Sequence, residues 1–156
     1  MIIQMWEGIP LQIPEKMVPE FANIFGGFTY NNFPDDFCGS GKIGEKMVPD
    51  YIYEGSRLLP RFLDISIKIS PACAIHDTDW DLAEPTWDAF HETNLRLHDN
   101  IATIIQCRTK PGILQLYAMA YPDIYKEAVE TMGRIIFWRL KKAQGHAIPS
   151  SAEWHL

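Results

Sequence analysis

The sequence predicts a mainly α-helical protein whose first third is irregular. Pro, Gly and Asn are concentrated in residues 1–53, whereas apolar residues recur at helical spacing after Pro85. The chain has 156 residues, of which 47% are apolar, enough for one sizeable core. We therefore expect a single domain over residues 1–156.

Residues 1–53 are predicted to be irregular, with one short helix near residues 15–25. Apolar and polar residues alternate from Leu63 to Ile69, which is the periodicity of a strand. Lys68 falls on the polar side of this alternation. The strand should lead directly into the next element, which is a helix.

The first long helix is predicted to begin at residue 70 and to run to about residue 84. Ser70 is a favourable N-cap and Pro71 suits the first helical position, whereas Pro85 disfavours helical backbone at the residue before it. Four residues on this helix are spaced i, i+3, i+4 and i+7, which places them on one face. They are Cys73, His76, Asp77 and Trp80.

A second helix is predicted over residues 86–108, and the short connection makes the two helices an antiparallel hairpin. Folding the chain about residues 85–86 brings His76 opposite Asn94. A register shift of more than one helical turn would bring Asp99 there instead. The apolar stripe of this helix consists of Phe90, Leu95, Leu97, Ile101, Ile104 and Ile105.

The C-terminal part, residues 111–145, is predicted to hold two further helices. One runs from Pro111 or Gly112 toward Met119, and the other begins at Pro122 and ends before Gly145. The apolar side of the latter carries Ile124, Ala128, Met132, Ile135, Ile136 and Trp138. Residues 146–156 are predicted to be a loose tail.

Three segments of the chain carry a recognisable motif and read Phe37-Cys38-Gly39-Ser40-Gly41, Val48-Pro49-Asp50 and Pro71-Ala72-Cys73-Ala74-Ile75-His76-Asp77. In this order they resemble the phospholipase A2 superfamily, in particular its smaller bacterial, phage and fungal branches. The helix segment at 94–101 is similar to the second helix of the family. The resemblance covers roughly residues 35–110, and it implies a helix pair that carries the active site and a calcium-type loop at 37–42.

The resemblance implies calcium-dependent hydrolysis of the sn-2 acyl ester of glycerophospholipids at a membrane or micelle surface. His76 would be the general base that activates water, Asn94 would contact its outer nitrogen, and the Gly39 N–H would help stabilise the oxyanion. Calcium prefers oxygen ligands. The resemblance implies that these come from the backbone of Phe37, Gly39 and Gly41 and from the Asp77 carboxylate.

Two positions depart from the family pattern. Trp80 stands where the family usually has Tyr, and Asn94 stands where it usually has Asp. An amide accepts a hydrogen bond from the imidazole but does not stabilise an imidazolium by charge. A non-catalytic protein that keeps the scaffold for binding or toxicity is therefore one alternative.

A metal-dependent His-Asp phosphohydrolase is the other alternative, since His98-Asp99 repeats the pair at residues 76 and 77. That family needs a further histidine upstream of the pair, and none precedes His76. His91 and His98 lie seven residues apart without a His-x-x-x-His spacing, so helix packing or solvation is a better interpretation than zinc.

Charge and hydropathy limit the kinds of partner expected for this chain. The net charge is -6 and the basic residues are scattered apart from those in residues 139–142, which argues against nucleic acid. No apolar run reaches the length of about eighteen residues that a membrane span needs. Residues 1–14 lack a basic region ahead of an apolar stretch, so a signal peptide is not expected.

The resemblance also implies a disulfide between Cys38 and Cys73, which leaves Cys107 over. A disulfide favours an oxidising compartment, whereas the missing signal peptide favours the cytoplasm. Secretion or delivery by a non-classical route is expected if the disulfide forms, and a cytoplasmic location otherwise.

Overall fold

The computed structural model describes residues 1–35, 37, 38, 51–53 and 66–156. Gly39, Gly41 and the segment at 48–50, on which part of the sequence resemblance rests, lie outside this range. Within it the protein is mainly helical, as predicted.

The chain begins with a β-hairpin, so the prediction of irregular structure is wrong there. Strand β1 (Ile2–Trp6) pairs antiparallel with β2 (Ile9–Ile13) through a two-residue turn. Both turn residues, Glu7 and Gly8, have positive φ, the geometry that suits the twist of a two-residue hairpin. Alternate residues of β2 are fully buried: Ile9, Leu11 and Ile13.

The short helix expected near residues 15–25 is present. A 3₁₀ turn at Glu15–Met17 continues into helix α1 (Val18–Phe25), whose buried Phe21 and Phe25 stack on each other. Further along the chain, β3 (Tyr51–Tyr53) pairs antiparallel with β4 (Ser66–Lys68). Strand β4 leads directly into the next helix, as the alternating pattern predicted.

Helices α2 (Ser70–Leu82) and α3 (Trp87–Arg108) form the predicted antiparallel pair. Trp80 packs against Phe90, and His76, one turn earlier on α2, reaches Asn94 one turn later on α3. Two details of the prediction were wrong. The cap position of α2 is Ile69 rather than Ser70, which is the first helical residue, and the helix ends at residue 82 rather than 84.

The C-terminal helices are α4 (Ile113–Ala118), α5 (Tyr121–Ala128) and α6 (Arg134–Ala143), with a π-helical segment at Val129–Gly133 between the last two. The predicted fourth helix is thus interrupted by a wider turn. A 3₁₀ helix at Ser150–His155 buries Ala152, so the prediction of a loose tail is wrong.

The apolar stripes were predicted too broadly. Several of their members are exposed, namely Leu95, Ile124, Met132, Ile135 and Ile136, whereas Phe137 is buried. The described core has two clusters. The larger joins the hairpin and α1 to α2 and α3, and the smaller consists of Trp80, Phe90, Phe137, Trp138 and Ala152.

Candidate active site

His76 lies at the contact between α2 and α3, with 5% of its surface exposed. Its Nε2 atom is 2.8 Å from Oδ1 of the fully buried Asn94. This is the contact that the hairpin geometry predicted. The alternative partner, Asp99, bonds instead to His98 and to Gln12.

Trp80 determines which way the Asn94 amide points. Its indole Nε1 lies 3.3 Å from the same Asn94 oxygen, and an indole nitrogen can only donate a hydrogen bond. The Asn94 atom between the two rings must therefore be the oxygen, which accepts from both. It follows that His76 carries its proton on Nε2 and that its Nδ1 has a lone pair available to accept a proton.

The amide nitrogen of Asn94 is the unfavourable part of this arrangement. Asn94 Nδ2 is buried and has no hydrogen-bond partner among the described residues. A buried donor without a partner costs on the order of 1–3 kcal/mol. A carboxylate at this position would accept the same two hydrogen bonds and would leave no such donor.

Burial keeps the His76 imidazole neutral. The loss of hydration lowers the pKa of His76 from 6.5 to about 4. The hydrogen bond that His76 donates to Asn94 opposes this shift, and the positive charge of Arg96 adds to it. At neutral pH the ring is therefore in the form that accepts a proton. Its conjugate acid is a strong one, which makes His76 a weak base.

Asp77 lies on the same helix but at the edge of the buried face. Its side chain is 57% exposed, and its Oδ1 is 3.9 Å from Nδ1 of His76. The accepting nitrogen of the imidazole is thus close to the carboxylate, beyond hydrogen-bond distance. The prediction that all four motif residues share one face holds for the three buried ones, Cys73, His76 and Trp80, with Asp77 beside them.

A disulfide attaches the start of the glycine-rich segment to α2. Cys38 and Cys73 are bonded with their Cα atoms 5.3 Å apart, whereas Cys107 is free and exposed. The implied pairing is confirmed. Residue 73 lies one helical turn before Asp77, so the disulfide attaches the chain next to the half-buried Phe37 to the turn of α2 that precedes Asp77.

Arg96 and Asp79 are two site residues that the sequence interpretation missed. Arg96 Nε donates to Asp79 Oδ2 at 2.6 Å across the two helices, and both side chains are almost fully buried. Burial alone would lower the pKa of Arg96, but the hydrogen bond and charge of Asp79 raise it overall. Asp79 lies about one turn after His76 on α2. The signal for this pair in the sequence was two opposite charges on helices predicted to face each other.

Lys68 was predicted on the polar side of a strand, yet it is buried. Its Nζ donates to the carbonyls of Phe33 and Asn31 at 2.6 and 3.4 Å and lies 3.2 Å from Asp35 Oδ1. These carbonyls belong to the segment that leads to Cys38. Lys68 therefore fixes the approach to the glycine-rich segment from the strand just before α2.

The two histidines on α3 both lie close to carboxylates. His91 Nδ1 lies 2.7 Å from Glu130, and the ring nitrogens of His98 lie 2.9 and 3.3 Å from Asp99 and Asp123. No group of three metal-ligating side chains occurs in the part of the chain that the structure describes. A calcium site built from backbone carbonyls and a single carboxylate would not form such a group.

Comparisons of the chain with family models, with curated proteins and with solved structures found no match. The likeness to the phospholipase A2 superfamily therefore depends on the motif residues themselves. No helix in the described ranges is long and apolar enough to cross a membrane.

Proposed function

We propose that the protein is a calcium-dependent hydrolase of the sn-2 acyl ester of glycerophospholipids, with His76 as the general base. The observation that supports this most is the state of His76. It is buried and neutral, its Nε2 donates to Asn94, and its Nδ1 lies on the side of Asp77. A general base needs a neutral ring with its accepting nitrogen on the side where substrate and ion would bind, and Nδ1 lies 3.9 Å from the exposed Asp77 carboxylate.

In this mechanism Nδ1 of His76 takes a proton from the attacking water, and the proton passes on to the leaving alcohol. The hydrogen bond to Asn94 holds the ring in the correct tautomer throughout. General base catalysis of this kind contributes about 10²- to 10⁴-fold. The Gly39 N–H, outside the described residues, is proposed to donate to the oxyanion.

The residues present are compatible with calcium. Asp77 supplies an accessible carboxylate, and the Cys38–Cys73 disulfide brings the backbone of Phe37 to the adjacent turn of the same helix. Gly39 and Gly41 are proposed to add carbonyl oxygens, since calcium takes six to eight ligands. When bound, the ion would polarise the ester carbonyl and stabilise the developing negative charge.

The direct test is fatty-acid release from mixed phospholipid micelles as calcium is titrated. We expect release that rises with calcium up to the millimolar range, from protein purified under oxidising conditions. Purified, folded protein that releases no fatty acid would contradict the proposal. Cleavage of a phosphate ester in zinc or manganese would favour the phosphohydrolase alternative.

Asp77→Asn is expected to weaken calcium binding by at least about tenfold without unfolding the protein, because it removes the one side-chain anion assigned to the ion. Calorimetric titration measures this. Asp81→Asn, which changes an exposed carboxylate one turn further along α2, is the matched control and should bind calcium like wild type. Equal affinity in all three proteins would rule out Asp77 as a ligand.

A non-catalytic role is the second candidate, and two observations favour it. The pKa of His76 is about 4, which is low for a base that works near neutral pH, and Asn94 offers the imidazolium no negative charge. Such a protein would bind lipid and calcium without turnover.

Asn94→Asp separates these two candidates. A carboxylate at hydrogen-bond distance should raise the pKa of His76 by about 1–3 units and remove the unpaired amide donor. If the protein is an enzyme, we expect faster lipid hydrolysis at neutral pH, and NMR titration of His76 should report the new pKa. Asn23→Asp adds the same charge at an exposed site and should change neither. A raised pKa without any hydrolysis would favour the binding role.

The disulfide gives the proposed location. A bond between Cys38 and Cys73 is stable in oxidising compartments and rare in the cytosol. We propose that the protein acts outside the cytoplasm, at a phospholipid surface.

A further inference from the structure

Trp80 occupies a closed space beside His76. Its ring is 6% exposed and contacts three aromatic neighbours, with centroid distances of 4.4 Å to His76, 6.0 Å to Phe90 and 5.8 Å to Phe137. An indole has two side-chain torsions, so in such a space it has little freedom to shift. The position of its N–H is therefore set by what surrounds the ring.

Gly133 provides the space for the six-membered part of the indole. A Cβ atom built on Gly133 would lie 2.6 Å from Cη2 and 3.1 Å from Cζ2 of Trp80, closer than packed carbon atoms approach each other. The backbone of Gly133 is helical, with φ of -69°, so glycine is required here for space rather than for conformation.

Gly133 is also the last residue of the π-helical segment Val129–Gly133. Single π turns inside α-helices are rare, and they occur frequently at functional sites. Here the wider turn ends at the residue that faces Trp80. Glycine is an unfavourable residue in a helix, so Gly133 lowers helix stability. The close approach of the Trp80 ring explains why glycine is present here.

We propose that Gly133 is a positioning residue of the active site, which acts on His76 through Trp80 and Asn94. By giving room to the indole, Gly133 keeps Nε1 at 3.3 Å from Asn94 Oδ1, and this hydrogen bond directs the amide oxygen toward His76. The imidazole proton is then held on Nε2. The C-terminal helical segment thereby fixes the tautomer of a histidine on α2. The effect of Gly133 on catalysis rests on the proposed function, whereas its effect on the tautomer does not.

The hydrogen bond from Trp80 is already long, so a small displacement removes it. Gly133→Ala would require the ring to move by roughly 1 Å to restore ordinary contact. Without the indole donor, the Asn94 amide is free to turn and to present its nitrogen to His76. The Nδ1–H tautomer then becomes accessible, and this tautomer has no lone pair on the side of Asp77.

The tautomer is measured by ¹⁵N NMR of histidine-labelled protein near neutral pH. We expect wild type to show the Nε2–H form almost alone. Gly133→Ala and Trp80→Phe should each raise the Nδ1–H population by roughly three- to tenfold, the effect of one buried hydrogen bond. Met132→Ala, an exposed change within the same π segment, should leave the tautomer unchanged.

A combined variant tests the contact itself. Phenylalanine lacks the indole atoms that a Cβ at position 133 would meet, so Gly133→Ala should lower the melting temperature in wild type but not in Trp80→Phe. If Gly133→Ala also lowers kcat with little change in KM, the positioning role extends to catalysis. A folded Gly133→Ala and a folded Trp80→Phe that both keep only the Nε2–H form would overturn the proposal, whether or not wild type hydrolyses lipid.

Discussion

His76→Gln is expected to reduce calcium-dependent fatty-acid release by about 10²- to 10⁴-fold, because it removes the only nitrogen base assigned to the reaction. The glutamine amide can still donate a hydrogen bond to Asn94 Oδ1, so the contact between the two helices is preserved. Release assays on mixed micelles measure the loss. His98→Gln, which changes a half-buried histidine elsewhere on α3, is the matched control and should remain active.

The same variant should alter the dependence of stability on pH. The pKa of His76 is about 4 in the folded protein and about 6.5 in the unfolded chain, so between these values the unfolded state binds a proton that the folded state does not. The contribution of His76 to the free energy of unfolding therefore falls as the pH is lowered from about 6.5 to about 4. The difference between the two pKa values of His76 corresponds to about 3 kcal/mol of free energy of unfolding.

His76→Gln removes this loss, so the variant should gain stability relative to wild type as the pH falls through this window. Urea unfolding at several pH values measures the free energy of unfolding of both proteins. The difference between them cancels contributions that both share, such as that of Asp79, whose pKa is raised by burial. Parallel stability curves for the two proteins would show that His76 is not held neutral. If the variant hydrolyses lipid as fast as wild type, His76 is not the general base.

The central contacts of the candidate site were predictable because they depend on short-range rules. Helical spacing placed His76 and Trp80 on one face, and a four-residue connection between the helices fixed which part of α3 lies opposite. These two facts predict the contact with Asn94 without any tertiary information. The Cys38–Cys73 pairing came instead from the motif, since three cysteines allow more than one bond.

What the sequence did not reveal depends on packing between distant parts of the chain. The N-terminal hairpin was missed because its turn, Glu7-Gly8, is not among the strongest turn signals and Pro10 lies within β2. The burial of Lys68 depends on carbonyls from residues 31 and 33. The fit of Gly133 against Trp80 joins residues more than fifty positions apart, and a lone glycine in a helical pattern does not indicate such a fit.

The ion pair of Asp79 and Arg96 joins α2 to α3 close to the contact between His76 and Asn94. Asp79 lies three residues after His76, and Arg96 lies two residues after Asn94. A one-turn slip of α2 along α3 would separate both pairs at once. Glu92 adds a second, more exposed carboxylate, which lies 3.3 Å from Nη1 of the Arg96 guanidinium.

Arg96→Met is expected to lower the free energy of unfolding by about 3–5 kcal/mol, because it leaves the Asp79 carboxylate buried without its partner. Urea unfolding at neutral pH measures the cost, and Arg134→Met, at the start of α6, is the control with a small effect, because the Arg134 side chain makes no hydrogen bond or ion pair with the described residues.

The double variant Arg96→Met with Asp79→Leu should recover most of that stability, since an apolar pair of similar volume avoids the cost of burying charge. If the pair serves mainly to set the register, the recovered protein will be stable but will show a mixed His76 tautomer and slower hydrolysis. A double variant that is as stable and as active as wild type, with His76 still in the Nε2–H form, would show that packing between α2 and α3 fixes the register without the ion pair.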